Sequence, residues 1–203
     1  MTIIIIAITA IISITAFQNR ALMDKWIMQP YLIKENKEYY RFITSGFLHA
    51  GWMHLLINMF VLYSFGRVVE LYFAEYFGAK GNYYFLFMYV AAIVISDIPT
   101  YLKNNTYYNY ASLGASGAVA AVLFASILFQ PMATIYVYFI PVPGIVLGPL
   151  YLYYSARMSR NAGDHINHDA HFYGAAFGFV FTALLKPTLI IYFFQQILNG
   201  IGF

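Results

Sequence analysis

From Asn104 to Ala156 the chain contains no Asp, Glu, Lys or Arg. A run of that length offers little polar surface to water, and it is enough chain to cross a bilayer twice. The remaining composition agrees. Of 203 residues, 62% are hydrophobic, 20% aromatic and only 9% charged, against about a quarter charged in soluble domains. So apolar and aromatic a chain is not intrinsically disordered. The net charge of +3 is slight and the basic residues are scattered, so no nucleic-acid partner is expected. The lack of cysteine removes disulfides, iron–sulfur clusters, thiolate zinc sites and a cysteine nucleophile. A polytopic, all-α membrane protein is left.

Charge-free segments predict spans at about 2–17, 47–66, 83–101, 113–129, 144–156 and 170–185. The first lacks the basic start of a cleaved signal peptide and reads as an anchor. Residues 18–46 mix charges with aromatics and read as a long, partly interfacial loop. Gln130–Pro131 breaks the charge-free run. Pro141, Pro143 and Pro149 then argue against one straight helix, so Ala133–Pro143 is expected to be a loop and the fifth span to be short. The polar loop Arg157–Asp169 follows, and Lys186–Pro187 closes the sixth span. The apolar part of the tail 188–203 is too short to cross and is expected in the interface or packed on the bundle. Without an internal repeat or linker, residues 1–203 read as a single domain of six helices.

Orientation is read from the basic residues. With the N-terminus inside, Arg67, Lys80 and Lys186 would be cytoplasmic, while Arg20, Lys25, Lys34, Lys37, Arg41, Lys103, Arg157 and Arg160 would not. The positive-inside rule therefore favours an external N-terminus.

Polar side chains inside apolar spans are costly and mark functional sites. Three clusters qualify. In the second span His54 and Asn58 are four apart and share a helix face. Two donors aimed at one spot suit an oxyanion hole, and they suit an interhelical clamp equally well. His49 falls off that stripe and is expected in the preceding loop. The fourth span opens with Gly114-Ala115-Ser116-Gly117. A serine among glycines at a helix start has an approachable hydroxyl and a free backbone amide, although Gly117, Ala121 and Ala125 also make an ordinary small-residue packing stripe. In the sixth span His171, Gly174 and Gly178 share a face. The glycines admit a close neighbour, and if that neighbour is the fourth span, His171 becomes a base beside Ser116. Asp169 points elsewhere, so a dyad is expected rather than a triad.

Together the three clusters resemble the rhomboid family of intramembrane serine proteases: H-x4-H-x3-N at His49, His54 and Asn58, G-x-S-G at Gly114–Gly117, and A-H-x2-G-x3-G from Ala170 to Gly178. The resemblance runs from about Tyr40 to Leu185. It implies a six-transmembrane-helix rhomboid-like bundle in which Ser116 is the nucleophile and His171 the general base. His54, Asn58 and the Ser116 amide would then bind the oxyanion. His49, Gly114, Gly117, Gly174 and Gly178 support the site. Tyr40-Arg41 partly matches the family's Trp-Arg pair, and Glu70 near Gly66 matches a structural hydrogen-bond anchor. Family members often carry an aromatic four residues after the serine, packed on the catalytic histidine. Here that position is Ala120, so Tyr173 or Phe172 is expected to hold the imidazole.

The resemblance also implies cytoplasmic termini and an active site toward the extracytoplasmic side, against the charge tally. Three ordered motifs outweigh a biased loop. The expected substrates are transmembrane segments of single-pass membrane proteins in the lipid bilayer, with no cofactor and no metal. Two other readings compete. His165, His168 and His171 with Asp169 have residue types that suit zinc, but two of these histidines fall in a polar loop. Catalytically inactive rhomboid-like proteins that bind membrane helices generally lack the serine or the histidine, both retained here. The compact layout fits a prokaryotic plasma membrane.

Overall fold

The computed structural model describes residues 1–137, 139–160, 166–200 and 202. It is mostly helical, as it must be where lipid cannot satisfy backbone groups. The first helix, α1 (Thr2–Gln18), is built inside out. Thr2, Ile5, Thr9, Ser13 and Ala16 are buried, while Ile3, Ile4, Ile8 and Ile11 are exposed. Apart from Ile5, the inward side chains are small or hydroxylated while Ile3, Ile4, Ile8 and Ile11 face outward, the arrangement of a helix solvated by lipid.

The segment expected to be a loop, 18–46, instead holds three short helices: α2 (Arg20–Trp26), α3 (Pro30–Asn36) and α4 (Arg41–Thr44). Asn19 caps α2 by accepting from the Leu22 amide, and Pro30 opens α3, where its missing N–H costs nothing. Buried Arg41 knits them together. Its guanidinium donates to the carbonyls of Asp24 and Ile27, 2.9 Å each, and pairs with Glu38.

Next come α5 (Trp52–Phe77) and α6 (Gly81–Asn104), joined by a tight turn at Gly78, φ 57°. The second helix thus starts five residues later than expected, because Ser45–Phe47 forms a 3-10 turn and Leu48–Gly51 is extended or bent. It also continues well past Gly66. Glu70, within α5, receives the Thr2 amide at 3.0 Å and the N-terminal ammonium, so it anchors the start of α1. Asp97 lies within α6, which runs on through Pro99, and it accepts from the Asn167 amide at 3.3 Å.

Helix α7 (Ser116–Phe129) is the axis of the bundle, with every residue from Gly117 to Phe129 buried. Then Thr134–Val137 and Ile140–Pro143 pair antiparallel as a two-stranded hairpin, β1 and β2. This corrects the expected loop at Ala133–Pro143. Its prolines are tolerated because a two-stranded ribbon is all edge. Helix α8 (Gly144–Met158) follows, then α9 (His168–Leu185) and α10 (Thr188–Gly200). Residues 161–165 of the expected loop Arg157–Asp169, and Ile201 and Phe203 of the tail, lie outside the described residues.

By length and composition the continuous stretch Trp52–Asn104 is able to cross a membrane. The α9–α10 pair qualifies only if taken together across its 110° bend, and α1 and α7 are apolar but shorter. At that bend Lys186 lies 3.5 Å above the Tyr76 ring. Helix α10 turns Leu189 and Phe193 inward and leaves Ile191, Tyr192, Phe194 and Leu198 exposed.

The tightest seam joins α7 to α9. A Cβ on Gly174 would sit 2.1 Å from the Gly117 carbonyl oxygen, and one on Gly178 would sit 2.0 Å from that of Ala121. Only glycine lets the two backbones meet so closely. This seam brings the first turn of α9 beside the first turn of α7.

Candidate active site

Three helix N-termini converge on one cavity. His54 lies in the first turn of α5, Ser116 begins α7, and His171 lies in the first turn of α9. All three, with Asn58, line a cavity of about 640 Å³ whose walls also include Ile57, Val119, Ala120 and Tyr151. The positive ends of three helix dipoles therefore face the same space, which favours a developing negative charge there.

The approach to Ser116 is held from both sides. Ser112 and Met28 exchange backbone hydrogen bonds at 3.0 Å, and the Gly114 amide donates to the Ser45 carbonyl at 3.1 Å. The short helices of the first loop thus clamp the segment that leads into the serine. Gly114 has φ 129°, a conformation that requires glycine. The site also needs its missing side chain, since a Cβ there would lie 2.8 Å from His54 Cε1, 3.0 Å from His54 Nε2 and 3.8 Å from Ser116 Oγ. The His54 ring is therefore packed directly beside the serine loop.

The tautomer of His54 follows from its other nitrogen. The Ala50 amide donates to His54 Nδ1 at 3.4 Å, so Nδ1 is the acceptor and Nε2 carries the hydrogen. That N–H is on the Gly114 side. Asn58 is buried; its amide nitrogen donates one hydrogen to the His54 carbonyl at 2.9 Å and has a second to give. Because Ser116 opens α7, its own backbone N–H has no acceptor within that helix. Three donors thus border the cavity.

His49 is in the connection before α5, as expected. It is fully buried, with Nδ1 2.9 Å from Ser13 Oγ and its ring edge-on to His54, centroids 4.9 Å apart. Burial, then the neighbouring His54, pushes its pKa down to about 3, so it is a neutral strut under the His54 ring.

His171 sits where Asn167 places it. Asn167 caps α9, its side-chain oxygen accepting from the Ala170 amide at 3.1 Å and the Thr100 hydroxyl at 2.9 Å. The signal was an Asn just before an apolar helical run. Among the described residues, the tyrosine ring against the imidazole is Tyr151 of α8, centroids 6.3 Å apart with planes 30° apart. This corrects the expectation of Tyr173 or Phe172: those rings pair with each other at 5.3 Å, and Tyr173 is exposed. Nothing in the spacing of α9 could reveal Tyr151, because it comes from another helix. Asp169 is held by Lys103 at 3.3 Å and by the Ser159 hydroxyl. His168 is edge-on to Tyr154 and to His171, and His165 lies outside the described residues.

Known proteins share parts of this sequence. The chain is similar to RHOMBOID-like protein 12, mitochondrial, of Arabidopsis thaliana: 29% identical over 171 residues, covering 79% of this chain and 50% of that protein. It is 35% identical over 95 residues to YdcA of Bacillus subtilis, provisionally named a rhomboid protease, covering 47% and 43% of the two chains. It is 30% identical over 141 residues to the human presenilin-associated rhomboid-like protein, mitochondrial, covering 67% and 35%. The chain thus spans half or less of the length of these relatives. Their organellar and bacterial sources do not single out the prokaryotic plasma membrane expected from the compact layout. The family model described as Rhomboid domain matches residues 36–188, most of the chain and all of the cavity's polar residues: this protein belongs to the rhomboid family of membrane-integral proteins.

Proposed function

We propose that this protein is an intramembrane serine endopeptidase of six membrane crossings, acting on transmembrane segments of single-pass proteins. The observation that carries the reading is the convergence of Ser116, His171, His54 and Asn58 on one cavity at three helix N-termini. In this mechanism Ser116 Oγ attacks the scissile carbonyl while His171 takes its proton. The tetrahedral oxyanion is held by His54 Nε2–H, Asn58 and the Ser116 amide. His171 then protonates the leaving amine, and water activated by the same imidazole hydrolyses the acyl-enzyme. No cofactor or metal enters these steps.

Substrate enters past α8 in this reading. A Cβ on Gly148 would meet Phe124 and Ile127 at 3.7 and 3.9 Å, ordinary contacts. The α7–α9 seam is far tighter, so α8 is the element more easily displaced. The site lies at the extracytoplasmic end of the bundle.

The test is labelling of purified protein in detergent micelles with a fluorophosphonate serine probe. Covalent modification that is lost in both Ser116→Ala and His171→Ala is the expected result. Folded wild-type protein that does not react would instead point to a rhomboid-like helix binder without catalysis.

A further inference from the structure

The position four residues after Ser116 is Ala120, whose methyl group lines the cavity and is too small to rest against an imidazole. The aromatic surface beside His171 arrives from a different element. Tyr151 of α8 is tilted against both His171 and Phe124 of α7, with centroids 6.3 and 5.5 Å apart. Phe124 is itself buried and lies two helical turns beyond Ser116 on the same stripe. The tyrosine ring therefore meets both the helix that opens with Ser116 and the helix that carries His171.

We infer that Tyr151 is a positioning residue for His171, supplying from α8 the aromatic wall that α7 lacks at Ala120. The inference rests on the proteolytic reading and adds a consequence to it. A wall built on α7 would be fixed by the buried axis of the bundle. A wall built on α8 is set only while α8 is seated, because that helix meets α7 at ordinary contact distance at Gly148, one turn before Tyr151, and exposes Val146, Leu150, Tyr153 and Tyr154. The orientation of the base is thereby tied to the position of the helix that substrate must pass. An aromatic pair contributes about 0.5–1.5 kcal/mol beyond area burial, so losing the ring should slow the chemistry roughly 3- to 10-fold.

The experiment compares wild type with Tyr151→Phe, Tyr151→Leu and Tyr151→Ala by two readouts. The first is the rate of fluorophosphonate labelling of Ser116 as a function of pH. The second is the histidine-selective 13C NMR spectrum in micelles, tractable with five histidines; a His171→Gln sample assigns the resonance, and His168, edge-on at 6.0 Å, is followed alongside. Tyr151→Phe is expected to label within about 2-fold of wild type with the same pH midpoint and His171 shift. Tyr151→Leu keeps an apolar side chain of comparable bulk but no ring. It is expected to label roughly 3- to 10-fold more slowly, with a displaced pH midpoint and a moved His171 resonance, and Tyr151→Ala is expected to do the same. A Leu variant with wild-type rate, midpoint and resonance would overturn the inference, as would a Phe variant as impaired as Leu. Wild type that never labels, but whose His171 resonance still responds to loss of the ring, would remove the proteolytic reading and leave the positioning contact standing.

Discussion

Gly174 on α9 faces Gly117 on α7 so closely that a methyl group at position 174 would sit 2.1 Å from the opposing carbonyl oxygen. Both partners at this contact are backbone, so no rotamer change relieves it. Gly174→Ala is expected to lower stability by about 1–3 kcal/mol through overpacking, despite the better helix propensity of alanine. Gly148→Ala on α8, which meets only ordinary contacts, is expected to be neutral or to gain about 0.4–1 kcal/mol. Thermal unfolding midpoints in one detergent compare the two. Equal midpoints would mean that α7 and α9 are not locked here.

Asn58 and His54 each present a donor to the cavity without offering a nucleophile. Asn58→Ala and His54→Ala are therefore expected to lower kcat by about 10²–10³ while leaving some activity, whereas Ser116→Ala abolishes it. A reconstituted fluorogenic transmembrane substrate gives the rates. Wild-type turnover in both donor variants would remove them from the mechanism.

His49 gives the fold an acid limit. Its imidazole, outside the helices, is held neutral by burial and by His54 down to about pH 3, while the unfolded chain takes up a proton near pH ~6.5. Between these values the unfolded state binds more protons. Stability is thus full above pH ~6.5 and is lost as pH falls toward 3, by up to about 1.4 kcal/mol per pH unit. The unfolding midpoint of His49→Gln should fall less steeply than that of wild type between pH 7 and 4. Parallel slopes would mean that His49 is protonated without penalty.

Arg41 answers two carbonyls at once. In Arg41→Ala the carbonyls of Asp24 and Ile27 lose a buried donor, at about 1–3 kcal/mol. Arg41→Lys recovers part of that, since an ammonium cannot reproduce the planar fork. Hydrogen exchange should accelerate across 20–44 in Arg41→Ala, more than in the body of α7. Unchanged exchange would mean that the short helices stand without it.

The polar site was legible because each motif is local. Four-residue spacing puts His54 and Asn58 on one face, and glycines around Ser116 and after His171 announce close approach. What stayed hidden was set by tertiary contact. Tyr151 is one of 20 tyrosines, and only the packing of α8 against α9 distinguishes it. The paired strands Thr134–Val137 and Ile140–Pro143 are obscured by prolines, which break helices and central strands alike but are tolerated in an edge ribbon. The short helices of 18–46 were obscured because they are pinned by Arg41 and the Met28–Ser112 bridge, not by amphipathic periodicity of their own.

The bend between α9 and α10 also decides what lies at the far end of the central helix. Helix α10 folds back so that the Gln196 amide donates to the carbonyl of Phe129, the last residue of α7, at 3.0 Å. Between Ser116 and that seal α7 is buried throughout, and its single hydroxyl, Ser126, is turned onto the Leu123 carbonyl at 2.7 Å. On the proteolytic reading, water that reaches Ser116 meets a column of buried side chains that the Gln196–Phe129 bond closes at its far end.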